Sequence, residues 1–273
     1  MSWLPTRLGC PFNYCNWSCA SHHHGENRMS ETQNLAGKVV IITGGGSGVG
    51  RATALALVQA GATPVLLGRS VPPLSAALDL IAEAGGTGLA VPADVADEAA
   101  VTDAYAKAAR KLGGIDAVIL AAGIGRFGNV DCYSREDWDA TLATNLTGPY
   151  VCAKAAIPHL QARGGGNIIA ISSGAGKQGY PNLAAYSASK FGLMGFMQGL
   201  AGEVGPDNIK VSTIVPGSIM TPFGDRPVEQ KRAAAASDPG KKYLEPEDVA
   251  EAVLYLLRQP ARAWTQELNL WPF

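Results

Sequence analysis

The chain has 273 residues, with 22 Lys plus Arg against 23 Asp plus Glu and a formal net charge of −1. That balance excludes the basic excess by which a protein holds a nucleic-acid backbone. With 47% hydrophobic and 16% charged residues the chain folds around a core, and no apolar run approaches the roughly 18 residues that a membrane span needs.

Residues 1–34 carry no helical or strand period. Cys10, Cys15 and Cys19 are followed by His22, His23 and His24, so two readings stand: a small zinc site, or a leader without structure of its own. The Cys spacings match no zinc pattern. That favours an N-terminal extension over residues 1–34, ahead of one domain over 35–273. The segment lacks the apolar core of a secretory signal and the arginines of a transit peptide, and a cytoplasmic protein is expected. Met29 precedes a polar stretch and the first strand, so residues 1–28 read as an addition upstream of the true start. With Cys132 and Cys152 the cysteines number five, an odd and lopsided set that is no disulfide framework. In the folded part His159 has no partner at ligand spacing, and no metal is expected.

From Lys38 onward short apolar runs alternate with longer helical stretches. The runs are Val39–Thr43, Thr63–Leu67, Gly88–Val91, Ala117–Ala121, Asn167–Ile171, Lys210–Val215 and Glu267–Leu270. They are apolar almost throughout, as parallel strands covered on both faces are. Between them lie Arg51–Ala60, Leu74–Ala84, Glu98–Leu112, Thr147–Ala162, Ala184–Glu203 and Pro246–Leu257, rich in Ala, Leu and Val. This is a βαβ series, and right-handed crossovers make it a doubly wound three-layer α/β/α sandwich on a mostly parallel seven-stranded sheet. The stretch Pro216–Tyr243 is the one long irregular connection, and connections of that length are usually functional lids or disordered.

Thr43-Gly44-Gly45-Gly46-Ser47-Gly48-Val49-Gly50 follows the first strand and opens the first helix. Glycines there let backbone approach a pyrophosphate, and the free N–H groups of the helix start favour the anion. The second strand ends at Gly68, where NAD-preferring sites usually carry Asp or Glu, and Arg69 follows. A guanidinium suits a 2′-phosphate, so NADP(H) is the preferred cofactor, with NAD the alternative.

Tyr186 and Lys190 stand four apart at the start of a helix and share one face. A cation beside a phenol lowers its pKa, which proton transfer near neutral pH requires. Ser173 lies thirteen residues upstream, just past a buried strand, at the carboxyl edge where open α/β sheets bind ligands.

With these residues in order, the sequence from about Leu35 onward resembles the short-chain dehydrogenase/reductase family of Rossmann-type enzymes. The matching pieces are the Thr43–Gly50 cradle, Asp94-Val95, Ala121-Ala122-Gly123, Asn145, Ser173, Tyr186 with Lys190, and Pro216-Gly217 with Thr221. The resemblance implies that Tyr186 is the general acid/base and that Lys190 holds the nicotinamide ribose and tunes Tyr186. It implies that Ser173 orients the substrate carbonyl and that Asn145 supports a water-linked proton relay. It also implies cofactor contacts from Gly44, Gly46, Ser47, Gly48, Val49, Gly50, Val95, Ala121, Gly123, Pro216, Gly217 and Ile219. Asp94 would meet the adenine and Thr221 the carboxamide. Two departures stand out: Leu120-Ala121-Ala122-Gly123 replaces the Asn-Asn-Ala-Gly common in the family, and Glu267–Phe273 lacks a glycine-rich ending.

Gly192, Gly195, Gly199 and Gly202 repeat along one helix at a cost of about 1 kcal/mol each relative to Ala. Something is expected to pack close: the protein's own sheet, or a second subunit of a homodimer or homotetramer. Met220, Pro222, Phe223 and Pro227 read as an apolar lid over the site, or as a loop folded down for packing. The expected activity is NADP(H)-dependent interconversion of a carbonyl and an alcohol on a small molecule. The alternatives are an NAD-linked alcohol dehydrogenase, a non-catalytic redox sensor, or an isomerisation or dehydration with the nicotinamide retained.

Overall fold

The structure is a computed structural model, and it describes residues 34–224, 227–238 and 240–273. The Cys10–Cys19 and His22–His24 cluster and the expected extension up to residue 33 lie outside the described residues.

Seven strands form one parallel sheet: β1 Val39–Thr43, β2 Thr63–Gly68, β3 Leu89–Pro92, β4 Ala117–Leu120, β5 Gly166–Ile171, β6 Ile209–Pro216 and β7 Glu267–Leu270. The order is β3-β2-β1-β4-β5-β6-β7, and every pairing is parallel. The order reverses beside β1, so the crevice between the carboxyl ends of β1 and β4 is a topological switch point. Because successive strand residues face opposite ways, β1 feeds two cores. Val39 and Ile41 join one with helices α3 (Glu98–Leu112), α5 (Gly148–Ala162) and α6 (Ala184–Val204). Val40 and Ile42 join the other with α1 (Gly48–Gln59), α2 (Val71–Glu83) and α8 (Pro246–Leu257). The result is the expected three-layer sandwich. No helix of the described residues is long and apolar enough to cross a membrane.

Two helices, α1 and α2, begin three residues earlier than the apolar pattern announces. α2 starts at Val71 rather than Leu74 because Pro72 and Pro73 sit in its first turn, where no intrahelical N–H is needed. Two helices escape the pattern altogether. α4 (Arg135–Leu142) is charge-rich and buries only Thr141; Ser134 caps it by accepting from the Asp137 N–H at 3.0 Å. α7 (Val228–Ser237) buries nothing and rests on alanine propensity, so Pro216–Tyr243 is not irregular throughout. A period-based reading cannot see a helix with no apolar face.

The amino edge of the sheet is clamped by Asp116. Its carboxylate accepts from the Val39 N–H at 2.9 Å, from Lys38 Nζ at 3.1 Å, and from Arg163 Nη2 at 3.0 Å. Burial alone would push this carboxyl up; the backbone bond and the two cations hold it below the usual carboxylate range. Beside it opens a cavity of about 540 Å³, lined in part by Lys38, Arg163, Lys210 and Trp264.

Candidate active site

The opposite, carboxyl edge carries the predicted residues. The turn from β1 into α1 needs left-handed backbone at Gly44 (φ +69°) and Gly48 (φ +49°). A Cβ on Gly50 would lie 2.3 Å from the Gly44 carbonyl oxygen, so the turn closes on itself backbone to backbone. Ser47 caps α1 with no side-chain hydrogen bond, which leaves first-turn N–H groups turned outward beside the cradle. Val49 follows in that turn. Gly46 faces the other way, for its Cβ would meet Pro73 at 2.9 Å, which marks close packing against α2.

The neighbouring strand ends supply the rim. Arg69 is exposed at the end of β2, with no hydrogen bond or ion pair among the described residues. Asp94 accepts from the Ala96 N–H at 3.0 Å, while Val95 is buried against Gly148, whose Cβ would lie 2.6 Å from it. Thr43 Oγ1 accepts from the N–H groups of Ala121 and Ala122, both at 3.0 Å, and ties the β4 loop to the cradle. Thr221 is buried, and its methyl would lie 3.3 Å from a Cβ on Gly48, so the segment after β6 folds back over the cradle. Pro216 closes β6, the Gly217 N–H donates to the Leu270 carbonyl at 2.8 Å, and Ile219 pairs with Leu244.

Between these elements Asn145, Ser173, Tyr186 and Lys190 come together. Asn145 sits in a π-helical turn (Ala143–Thr147) between α4 and α5, a widened turn often found at functional sites. Its amide grips Ile124 twice: Oδ1 accepts from the N–H at 2.8 Å and Nδ2 donates to the carbonyl at 2.8 Å. Nδ2 also reaches Ser189 Oγ at 3.1 Å, and Ser189 Oγ donates to the Tyr186 carbonyl at 2.7 Å. Gly123 lies beside this group, for a Cβ there would be in ordinary contact with Asn145 Oδ1 at 3.4 Å and Lys190 Nζ at 3.8 Å. Lys190 is buried and donates to the Ile171 carbonyl at 2.9 Å.

The electrostatics differ from the sequence expectation. Burial pushes the Tyr186 phenol up to about 12, with a hydrogen bond to Ser173 pulling the other way. Burial also draws Lys190 down to about 8. Lys190 Nζ stands 5.7 Å from the Tyr186 ring centroid, and in the chain alone desolvation outweighs its pull on the phenol. Spacing along a helix shows which residues share a face; it does not show how much water they lose.

Thr43 opens the motif read from the sequence, but Ser189 and the π-helical turn are site features the sequence reading does not single out. Ser189 stands three residues after Tyr186 and so had a positional signal. The turn had none.

A backbone cradle at the β1–α1 turn, a guanidinium at the end of β2 without an ion partner among the described residues, and buried Asn145, Tyr186 and Lys190 beside half-buried Ser173 offer the donors a dinucleotide needs. They define an oxidoreductase of the doubly wound class. A sequence model of the family described as short chain dehydrogenase matches residues 38–232. A short-chain dehydrogenase/reductase of Armillaria gallica is 35% identical, covering 89% of this chain and 97% of its own. Glycine betaine reductase of Emericella nidulans is 31% identical over 87% of this chain, which spans only 19% of that protein's length. Among solved structures, an alcohol dehydrogenase of the archaeon Thermococcus sibiricus complexed with 5-hydroxy-NADP superimposes with a TM-score of 0.78 at 28% identity, covering 85% of this chain and 95% of that one. A metagenomic short-chain oxidoreductase in complex with NADP gives a TM-score of 0.76 at 32% identity, covering 88% and 99%. The chain belongs to the short-chain dehydrogenase family and is an NAD(P)-dependent oxidoreductase.

Proposed function

We propose that the protein interconverts a carbonyl and an alcohol on a small molecule with NADP(H), and that Tyr186 is its general acid/base. The observation that carries the reading is the meeting of Tyr186, Ser173, Lys190 and Asn145 beside the cradle. The dinucleotide, when bound, supplies or accepts the hydride at its nicotinamide. Gly44, Gly48 and Gly50 with Ser47 and Val49 hold its diphosphate through backbone N–H groups. Asp94 and Val95 flank the adenine. Ala121 and Gly123 line the ribose side, where Leu120 and Ala121 stand in place of the family's asparagines. Pro216, Gly217, Ile219 and Thr221 close over the nicotinamide end. Lys190 holds the ribose hydroxyls with the donors that Ile171 leaves free. Ser173 donates a hydrogen bond to the substrate oxygen and Tyr186 passes it the phenolic proton. Asn145 fixes the Ile124 backbone and supports the path by which that proton is replaced.

NADP(H) is favoured over NAD(H) because Arg69 stands unpaired where an acidic residue would select the 2′-hydroxyl. Two similar structures are complexes with NADP or its 5-hydroxy derivative, which supports the same preference. The enzyme acts in the cytoplasm as a homodimer or homotetramer. The glycine stripe of α6 supports association, since a Cβ on Gly195, Gly199 or Gly202 would meet nothing, while Gly192 packs on Leu146. Phe191 on α6 and Tyr150 on α5 are exposed, and a monomer mass in light scattering at micromolar concentration would refute the pairing.

Two substitutions test the reading. Tyr186→Phe lowers kcat by about 10³-fold while the Kd for NADPH, read from nicotinamide fluorescence, stays within about twofold. Arg69→Ala weakens NADPH by about tenfold, the worth of one charge-assisted contact, and leaves NADH unchanged. Equal binding of both cofactors, unchanged by the substitution, would remove Arg69 from the site.

A further inference from the structure

Four loops leave the carboxyl ends of β4, β5, β6 and β7, and each presents an aromatic side chain: Phe127, Tyr180, Phe223 and Trp271. Phe127, Tyr180 and Trp271 are among the exposed large hydrophobic residues, at 45%, 37% and 54%. Two of the four rings sit beside the groups that would face a carbonyl oxygen. The Phe223 ring lies on the Tyr186 ring, centroids 5.3 Å apart. The Trp271 indole lies against Gly174, directly after Ser173, and against Gly217; a Cβ on either glycine would come within 2.7 Å and 3.0 Å of it.

These positions are built in by backbone. A Cβ on Gly125 would fall 2.4 Å from the Phe223 ring, and one on Gly224 would overlap the Phe127 ring. The β4 and β6 loops therefore exchange rings across two glycines: Phe223 lies on Gly125, and Phe127 lies on Gly224. Gly224 has φ +76°, a conformation that suits glycine twice over. Phe223 is thus a fixed wall rather than a ring that happens to lie nearby.

The cations around this rim are already engaged among the described residues. Lys177 pairs with Glu267, Arg126 with Asp137, Arg232 with Glu245 and Lys241 with Asp238. Lys231 Nζ donates to the Thr221 carbonyl at 2.6 Å, and Lys242 lies over the Phe273 ring. Among the described residues of this rim, a carboxylate or phosphate on the substrate would have to displace one of these partners.

Resting on the carbonyl–alcohol reading above, we infer that the substrate carries an uncharged, ring-sized apolar body beside its carbonyl, and that Phe223 and Trp271 are the residues that select it. Aromatic walls favour such a body through buried area and ring packing, and they offer nothing to a compact anion.

The test separates binding from chemistry. Acetophenone and pyruvate are titrated calorimetrically into the full chain saturated with NADP+, a mixture in which no hydride is available for transfer. Acetophenone is expected to bind at least about tenfold more tightly than pyruvate, the least that burying a phenyl ring should bring. Trp271→Ala and Phe223→Ala should each reduce that ratio by about tenfold, and Trp271→Phe should restore most of it. Turnover with NADPH should then show kcat/KM for acetophenone above that for acetone, with the same two variants narrowing the ratio. Pyruvate binding as tightly as acetophenone, or a ratio indifferent to both alanine variants, overturns the inference. Ring-selective binding without turnover of any carbonyl leaves the inference standing and overturns the carbonyl–alcohol chemistry instead.

Discussion

The two edges of the sheet are built on opposite principles. At the amino edge the charged groups are satisfied: Asp116 is held by a backbone N–H and two cations, and Lys210 Nζ donates to the carbonyls of Pro260 at 2.8 Å and Ala263 at 2.6 Å. At the carboxyl edge the outer rim cations are paired, but around the glycine cradle and Tyr186 satisfaction is withheld. Lys190 is buried with a single carbonyl within reach, Arg69 has no ion partner among the described residues, and the Tyr186 phenol is pushed up by desolvation. The same strands run through both ends, so the difference comes from what the connecting loops place there. One edge holds the sheet together, and the other keeps donors and polarised groups free for a ligand.

The contrast can be broken from either side. Asp116→Ala should destabilise the fold by about 3 kcal/mol, the lower end for breaking a buried pair, because Lys38 and Arg163 are each about two-fifths exposed. Urea denaturation reads the loss, and kcat per folded molecule should not change; a matching fall in kcat would show that the two edges are coupled. Because its folded pKa is depressed, the stability from Asp116 is present above the unfolded carboxyl value and lost as pH falls through the folded one.

Gly50→Ala should cost about 1–3 kcal/mol, since its methyl meets the Gly44 carbonyl, and it should weaken NADPH at least about tenfold. Unchanged affinity would mean that the turn tolerates a side chain and is not the cradle.

The smallest effect is the most specific. Lys190 is drawn down to about 8 from an ordinary 10.5, so between those values the unfolded chain binds the extra proton and stability rises with pH. Between pH 8 and pH 9 the wild type should gain about 1 kcal/mol over Lys190→Met, read as a widening gap in denaturation free energy. A gap independent of pH would place Lys190 in a more solvated setting.

Much of this molecule is legible in its sequence. Seven apolar runs announced seven parallel strands, because a strand buried on both faces has no room for polar residues. The glycine motif announced the cradle, because only glycine takes up the backbone of that turn. The Tyr186–Lys190 spacing announced a shared face, because helical geometry is local. What the tertiary structure alone decided is non-local. It set the desolvation that raises Tyr186 and lowers Lys190, and the reach of Asn145 to Ile124. It also set the crossing of Phe223 and Phe127 over each other's glycines. Residues such as Gly125 and Gly224, or Gly174 and Trp271, lie about a hundred positions apart in the chain. No period or motif links them, and only the closing of the sheet's carboxyl edge brings a ring from one loop onto the bare backbone of another.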